Sequence, residues 1–339
     1  MGRPRTKAVV QQETPHRVED IYSVREPSVS TFSSGCTLLD KALGGGWAYN
    51  RLANIVGDKS TGKSLLAIEA CANFASSNKD GRIVYAESEA AFDEVYAEAM
   101  GLPINKVEFV SVFTVEDVFE DIEKRLKSSS KEKVLYVIDS LDALSDRAEQ
   151  ERTMDQGTYG TKSKMVSEWL RRQNQRLAKS HMTLIITSQV RDNIGVAFGE
   201  KHKRSGGRAL DFYATHTLWL AKLGSLKATR SKVERVIGVE IRAAVKKNKI
   251  GLPFREVEFP ILFGYGIEDV WASLAWLDSV ERVEDLGMDE EAIKVFSLKR
   301  LSQMPEEEYV KLKQVCSQTV IKVWDEIEHG FAPVRKKYA

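Results

Sequence analysis

From Val29 to about Ile267 the chain alternates short apolar runs with helical patterns. Residues 52–56 form the first apolar run; a glycine-containing turn follows, then helical spacing over 65–74. Residues 83–86 and 107–112 predict two further strands, and 115–126 a helix. Residues 134–138, Val-Leu-Tyr-Val-Ile, are unbroken apolar, the pattern of a strand buried on both faces. Residues 164–178 predict a long helix and 182–187 another buried strand. This alternation predicts an α/β fold with a mostly parallel twisted sheet flanked by helices. Beyond Arg191 the pattern changes: 218–221, 236–245 and 256–262 predict strands that extend the sheet in antiparallel fashion. From about Asp269 the chain reads as mainly helical. Residues 1–28 mix charge, glutamine and three prolines (Pro4, Pro15, Pro27), which suits an arm with one short helix near 16–24. The expected organisation is an arm over 1–28, a core over 29–268 and a small helical region over 269–339.

Length and composition narrow the class. A chain of 339 residues is too long for one small core and suits a main domain with smaller appendages. No uncharged stretch reaches the about 18 residues of a membrane helix. The basic N-terminus has no apolar core behind it and does not read as a signal peptide. Gly2 and Thr6 fit a loose myristoylation pattern, short enough to recur by chance. Cys36, Cys71 and Cys316 are too few and too scattered for a disulfide framework or a zinc knuckle, and they suit a reducing cytoplasm. The formal net charge of +1 suggests no polyanion partner, but its distribution does. Between Lys201 and Arg255, fourteen basic residues face three acids, an excess of eleven that favours a phosphate-facing surface over an ordinary solvated one.

Candidate chemistry begins at Gly57-Asp58-Lys59-Ser60-Thr61-Gly62-Lys63-Ser64. It fits the Walker A pattern G-x-x-x-x-G-K-[ST] and lies between a predicted strand and a predicted helix, the context that confirms it. Gly57 and Gly62 let the backbone curl so that its N–H groups face phosphate oxygens. The helix N-terminus adds partial positive charge, Lys63 reaches the β- and γ-phosphates, and Ser64 offers a hydroxyl to Mg²⁺. The implied cofactors are ATP and Mg²⁺. Asp139 ends the apolar run 134–138 and would hold Mg²⁺ through its waters. In Ala86-Glu87-Ser88-Glu89, at the end of another predicted strand, either Glu87 or Glu89 could activate water. Spacing alone does not choose between them.

Over 29–267 the chain resembles the RecA family of ATP-dependent homologous-recombination proteins. Ser34-Gly35-Cys36-Thr37-Leu38-Leu39-Asp40 through Gly44-Gly45-Gly46 is similar to the family's lead-in to the nucleotide strand. Glu87-Ser88-Glu89-Ala90-Ala91-Phe92-Asp93, with Val95-Tyr96-Ala97, resembles its acidic motif. That resemblance implies Glu89 as the base, Asp93 as a contact to adenine and Tyr96 as its stacking platform. Ser188-Gln189-Val190-Arg191, then 194–199, then Gly206-Gly207, is similar to the family's second DNA loop. Gln189 then becomes a neutral amide that senses the γ-phosphate at the base of a loop. Arg191, Phe198, Lys201, Lys203, Arg204, Gly206, Gly207 and Arg208 become DNA contacts: glycines for adaptable backbone, an apolar wedge, and cations for phosphates. Tyr159, with Lys164, Ser167 and Arg171 on one helix face, forms a second DNA-facing segment. Lys247 and Lys249 resemble residues that reach a neighbour's ATP in trans, and Phe212 one that relays nucleotide state across the same interface.

The resemblance implies a RecA-like P-loop ATPase with an N-terminal arm and a small helical C-terminal region. It would bind single-stranded DNA, pair it with homologous duplex, and self-associate into a helical filament on DNA in the cytoplasm. Two departures stand out: no long amphipathic N-terminal helix is apparent, and Arg335-Lys336-Lys337 occupies the place of an acidic tail. A divergent member, such as a phage-encoded recombinase acting in its host's cytoplasm, would suit both. Two other readings stay open: a RecA-fold hexameric helicase or branch-migration motor, and a recombination mediator that binds ATP and DNA without exchanging strands.

Overall fold

The computed structural model describes residues 29–89, 92–128, 130–151, 161–192, 202–204, 207–287 and 296–335, excepting the side chains of 191–192, 202–204 and 207–208. The strands, in chain order, are β1 (Thr31–Phe32), β2 (Trp47–Ala48), β3 (Leu52–Gly57), β4 (Arg82–Glu87), β5 (Val107–Ser111) and β6 (Val134–Asp139). They continue with β7 (Met182–Asp192), β8 (His202–Arg204), β9 (His216–Arg230), β10 (Val233–Asn248), β11 (Arg255–Leu262) and β12 (Gly266–Ile267). The α-helices are α1 (Thr37–Leu43), α2 (Lys63–Ser77), α3 (Glu94–Ala99), α4 (Val115–Leu126), α5 (Arg147–Glu151) and α6 (Thr161–Ala178). After them come α7 (Gly207–Tyr213), α8 (Asp269–Ser279), α9 (Leu298–Leu301) and α10 (Glu306–Gly330). The short helix expected near 16–24 lies outside the described residues.

The main sheet runs in the order β12-β11-β10-β9-β3-β7-β6-β4-β5, with β8 paired to β7. From β9 to β5 every neighbouring pair is parallel; β9, β10, β11 and β12 pair antiparallel in turn. One expectation needs refining. The 218–221 segment does not start a purely antiparallel extension, because β9 joins β3 in parallel and only its other edge meets β10 antiparallel.

The unbroken apolar runs follow from burial on both faces. Ile83 and Tyr85 of β4, Leu135 and Val137 of β6, and Ile185 of β7 enter one core with α1, α2, α8 and α10. Their alternates, Val84, Ala86, Tyr136, Ile138, Leu184 and Ile186, enter a second core with α4, α6 and α7. A period-two chain buried on both sides has no polar positions to reveal its pleat. α4 is terminated differently. Thr114 and Asp117 form a reciprocal capping box at its start, which explains why its predicted and observed first residues coincide.

β9 and β10 continue beyond the sheet. β9 meets β3 only from His216 to Leu220, and β10 meets β11 only from Gly238 to Val245, yet the two stay paired out to Arg230 and Val233. The projecting ribbon turns at Ser231 and Lys232, both with positive φ, the geometry of a tight hairpin turn.

The C-terminal helices are fastened to the core through carboxylates. Asp269 accepts from the Thr37 amide (2.7 Å) and hydroxyl (2.9 Å), and that hydroxyl lies 3.0 Å from Ser317 Oγ on α10. Tyr309 OH donates to Glu268 at 2.5 Å. Asp40, on α1, instead closes a local turn, accepting from Ser33 Oγ and from Ser34 N and Oγ at 2.6–2.7 Å. Burial pushes Asp40 up to about 6 and Glu69, packed beneath β12, up to about 7. Glu268 and Asp269 are raised for the same reason. At the rim, Lys41 pairs with Asp325 at 2.6 Å and Arg255 with Glu328 at 2.5 Å. Among the described residues no helix is long and apolar enough to cross a membrane.

Candidate active site

β3 is buried along its whole length and delivers its carboxyl end, Gly57, to the turn that opens α2. A Cβ on Gly57 would lie 2.4 Å from Thr61 Oγ1, and Gly62 has φ +82°, so both glycines are required by the curl itself. Within the turn, Thr61 Oγ1 and Lys63 Nζ both donate to the Asp58 carbonyl, at 2.8 and 2.7 Å. Burial pulls the Lys63 amine below the ordinary lysine range, while Asp139, Glu89, Asp58 and Asp142 act in the opposite sense. Lys59, Ser60, Thr61, Gly62, Lys63 and Ser64 line one side of a cleft of about 520 Å³. The backbone curl, the start of a 15-residue helix and a half-buried cation make a donor set that fits a polyphosphate.

Across the cleft, Asp139 ends β6 and is fixed at both oxygens. Tyr85 OH donates to Oδ2 at 2.7 Å and Thr187 Oγ1 to Oδ1 at 2.6 Å. Each oxygen keeps a lone pair beyond the hydroxyl it accepts, so Asp139 and the exposed Ser64 are the groups able to hold a hydrated divalent cation.

The two glutamates at the end of β4 differ in reach: Glu89 borders both the main cleft and a smaller recess, Glu87 only the recess. Glu89 lines the main cleft, accepting from Ser140 Oγ at 2.7 Å and from Gln189 Nε2 at 3.3 Å. Glu87 points back, accepting the Glu89 amide at 3.0 Å, and lines a smaller adjoining recess of about 130 Å³. The same recess is bounded by Asp93 and Tyr96, the expected base contacts. Asp93 also caps α3 by accepting the Tyr96 amide at 2.9 Å. Gln189 closes the group: its side chain meets Glu89, and its backbone N–H donates to Asp142 Oδ2 at 2.7 Å.

The other expected site residues fall into three sets. Lys164 and Arg171 are exposed on α6 with Ser167 half-buried between them. The backbones of Arg191 and Lys203 are paired, as are those of Val190 and Arg204, so the strand carrying Gln189 runs directly into the expected DNA loop. Tyr159, Phe198, Lys201 and Gly206 lie outside the described residues, as do the side chains of Arg191, Lys203, Arg204 and Arg208; Gly207 is the first residue of α7. Lys247 and Lys249 form the third set, at the end of β10. Both reach the C-terminal carbonyls of α7: Lys247 donates to Asp211 O and to Phe212 O (2.7 Å), and Lys249 to Phe212 O (3.2 Å) and Tyr213 O (3.1 Å). Phe212 is 71% exposed, with Lys247 Nζ 6.0 Å from its ring centre. None of these three lines the cleft of its own chain.

Sequence reasoning missed the groups that arrange the others. Tyr85 and Thr187 fix Asp139, Ser140 fixes Glu89, and Lys222 and Phe263 wall the cleft from the antiparallel side. The buried Tyr and Thr read simply as strand residues, and no local signal links them to residues about fifty positions away.

A family model described as the RecA N-terminal domain matches residues 13–268. The chain is 36% identical over 260 residues to the Protein RecA of Trichodesmium erythraeum, covering 76% of this chain and 70% of that one. It is 35% identical over 244 residues to the Protein RecA of Colwellia psychrerythraea, covering 71% and 68%. It is also 33% identical over 259 residues to the chloroplastic DNA repair protein recA homolog 1 of Arabidopsis thaliana. There the match covers 76% of this chain and only 58% of the plant protein.

Proposed function

The chain belongs to the RecA family, and from that premise we propose that it is a DNA-dependent ATPase that assembles on single-stranded DNA, pairs it with homologous duplex and exchanges strands. The observation that carries this reading is the meeting of Lys63, Glu89, Asp139 and Gln189 around one cleft, with the strand that carries Gln189 running on into the expected second DNA loop. The Walker A amides and Lys63 hold the phosphates of ATP. Ser64 and Asp139 would hold Mg²⁺, which neutralises phosphate charge when bound. Glu89 takes a proton from the attacking water. Asp93 and Tyr96 hold the base in the adjoining recess.

Gln189 lies within reach of Glu89 at the mouth of the second DNA loop, where a change at the γ-phosphate shifts the loop. In this reading residues 1–28 dock protomers, 29–268 form the ATPase and 269–339 cover one end of it. Lys247 and Lys249, with Phe212 beside them, act on the neighbouring protomer's nucleotide, which fits their distance from their own cleft.

Electron microscopy with ATP and single-stranded DNA tests the proposal. Helical filaments are the expected outcome. Closed rings would favour a hexameric motor, and the absence of assembly a mediator.

A further inference from the structure

We propose that Asp142 is a positioning residue that transmits nucleotide state to both DNA-facing segments; the proposal rests on Gln189 acting as the sensor. Asp142 lies in the turn over residues 140–146 that follows β6. Among the connections of that turn, four groups join the nucleotide side to α6. Ser140 Oγ donates to Glu89 at 2.7 Å. The Leu141 amide donates to Thr187 O at 3.2 Å. Asp142 Oδ2 accepts the Gln189 amide at 2.7 Å. On the far side, Lys162 Nζ, in the first turn of α6, donates to the carbonyls of Asp142 (3.2 Å) and Leu144 (2.5 Å).

The sheet explains why the Gln189–Asp142 bond matters. On one edge of β7, pairing with β3 runs as far as Gln189 opposite Gly57, the first residue of the phosphate turn. On the other edge, pairing with β6 stops at Ile186 opposite Ile138. The last residues of β7 on that side are therefore held by the 140–146 turn, and the amide of Gln189 by the Asp142 carboxylate. A carboxylate accepting a backbone N–H is a charge-assisted bond, stronger than a neutral one. Gln189 is thus clamped between the phosphate turn and a turn tied to α6, and its backbone moves only if the Asp142 bond moves with it or breaks. The other Asp142 oxygen, Oδ1, is buried with no hydrogen-bond partner among the described residues. A buried unpaired oxygen is costly, so the carboxylate stands ready to gain from a second donor. The clamp is therefore poised to change partners when Gln189 moves.

The test measures single-stranded DNA affinity with and without a non-hydrolysable ATP analogue, and takes their ratio. Asp142→Ala should lower that ratio by at least about fivefold, with nucleotide affinity and the thermal midpoint retained. Asp142→Asn keeps an acceptor oxygen and should restore most of the ratio. Hydrogen exchange at the Gln189 amide of the unmodified protein should change when the analogue binds. An Asp142→Ala protein that keeps its ratio overturns the assignment. So does a parallel fall in midpoint, nucleotide affinity and DNA affinity, which marks a merely structural role. Exchange at Gln189 that ignores the nucleotide overturns it even if Asp142→Ala fails to fold. Gln189→Ala separates the two layers: loss of the ratio there with retention in Asp142→Ala sinks only the Asp142 assignment, while retention in Gln189→Ala sinks the sensor reading beneath it.

Discussion

Two regions of this molecule gather carboxylates and use them in opposite ways. At the nucleotide cleft, Glu89 is exposed, and Asp139 and Asp142 are half-buried, with Lys63 and solvent close by. Around the C-terminal helices, Glu268 and Asp269 are enclosed almost completely, and desolvation pushes them, with Asp40 and Glu69, up in pKa. The first set stays available to a cation, a water and a moving amide. The second set, held by similar hydroxyl and amide donors, lies outside the cleft, and its members Glu268 and Asp269 fasten the C-terminal helices to the core. In the proposed function the same group serves chemistry at the cleft and cohesion beneath the helices.

The contrast can be broken by mutation. Lys63→Ala should show the largest effect, lowering ATP turnover by about a thousandfold while leaving the urea midpoint in place. Retained turnover in the purified variant would remove the cleft from its side of the comparison. Glu89→Gln should lower turnover by about a hundredfold with ATP still bound and DNA complexes longer-lived. If Glu87→Gln has that effect instead, the roles of the two glutamates are exchanged.

At the C-terminal seat the readout is stability against pH. Burial makes the folded chain hold protons on Asp40 and Glu69 more tightly than the unfolded chain does. Their contribution is therefore complete below the ordinary carboxylate range and is lost as pH rises through about 6 and about 7. Asp269 also opposes ionisation of Glu69, and Lys313 favours it. Glu69→Gln should gain about 2 kcal/mol over the parent at alkaline pH and little at acid pH, measured by urea unfolding at both. A gain that is flat with pH would show that Glu69 is not proton-linked to folding. The smallest effect should come from the rim of the same seat: Lys41→Met, which removes the pair with Asp325, should cost at most about 1 kcal/mol. A larger loss would mean that surface pairs, and not the buried carboxylates, fasten α10.

Much of the nucleotide side could be read from residues in order, because its parts are local. A strand, a glycine turn and a helix are adjacent in sequence, and the apolar runs of β3, β4, β6 and β7 are short and continuous. The choice between Glu87 and Glu89 was not legible from spacing. What tells them apart in the fold is that only Glu89 meets Ser140, just past β6, and Gln189 on β7. The C-terminal seat was illegible for a stronger reason. Thr37 and Asp269 are 232 positions apart, and neither residue type suggests burial until the partner is known. β9 was foreseen only over 218–221, because beyond Leu220 its residues lose one covering strand and take on the polarity of a surface.

That loss of cover has its own consequence. Past Leu220 on β9, and before Gly238 on β10, the outer edge of each strand has no neighbouring strand among the described residues. Such a ribbon is a template on which a foreign strand could add, and then another, toward fibrous aggregation. Lys222, Lys227, Arg230, Lys232 and Arg235 are spaced along it, and only Lys227 among them has an ion-pair partner within the ribbon, Glu234. A second ribbon brought alongside would set these charges against their own copies. The residues that give this segment its excess of positive charge would therefore also serve as gatekeepers against edge-to-edge stacking of crowded copies.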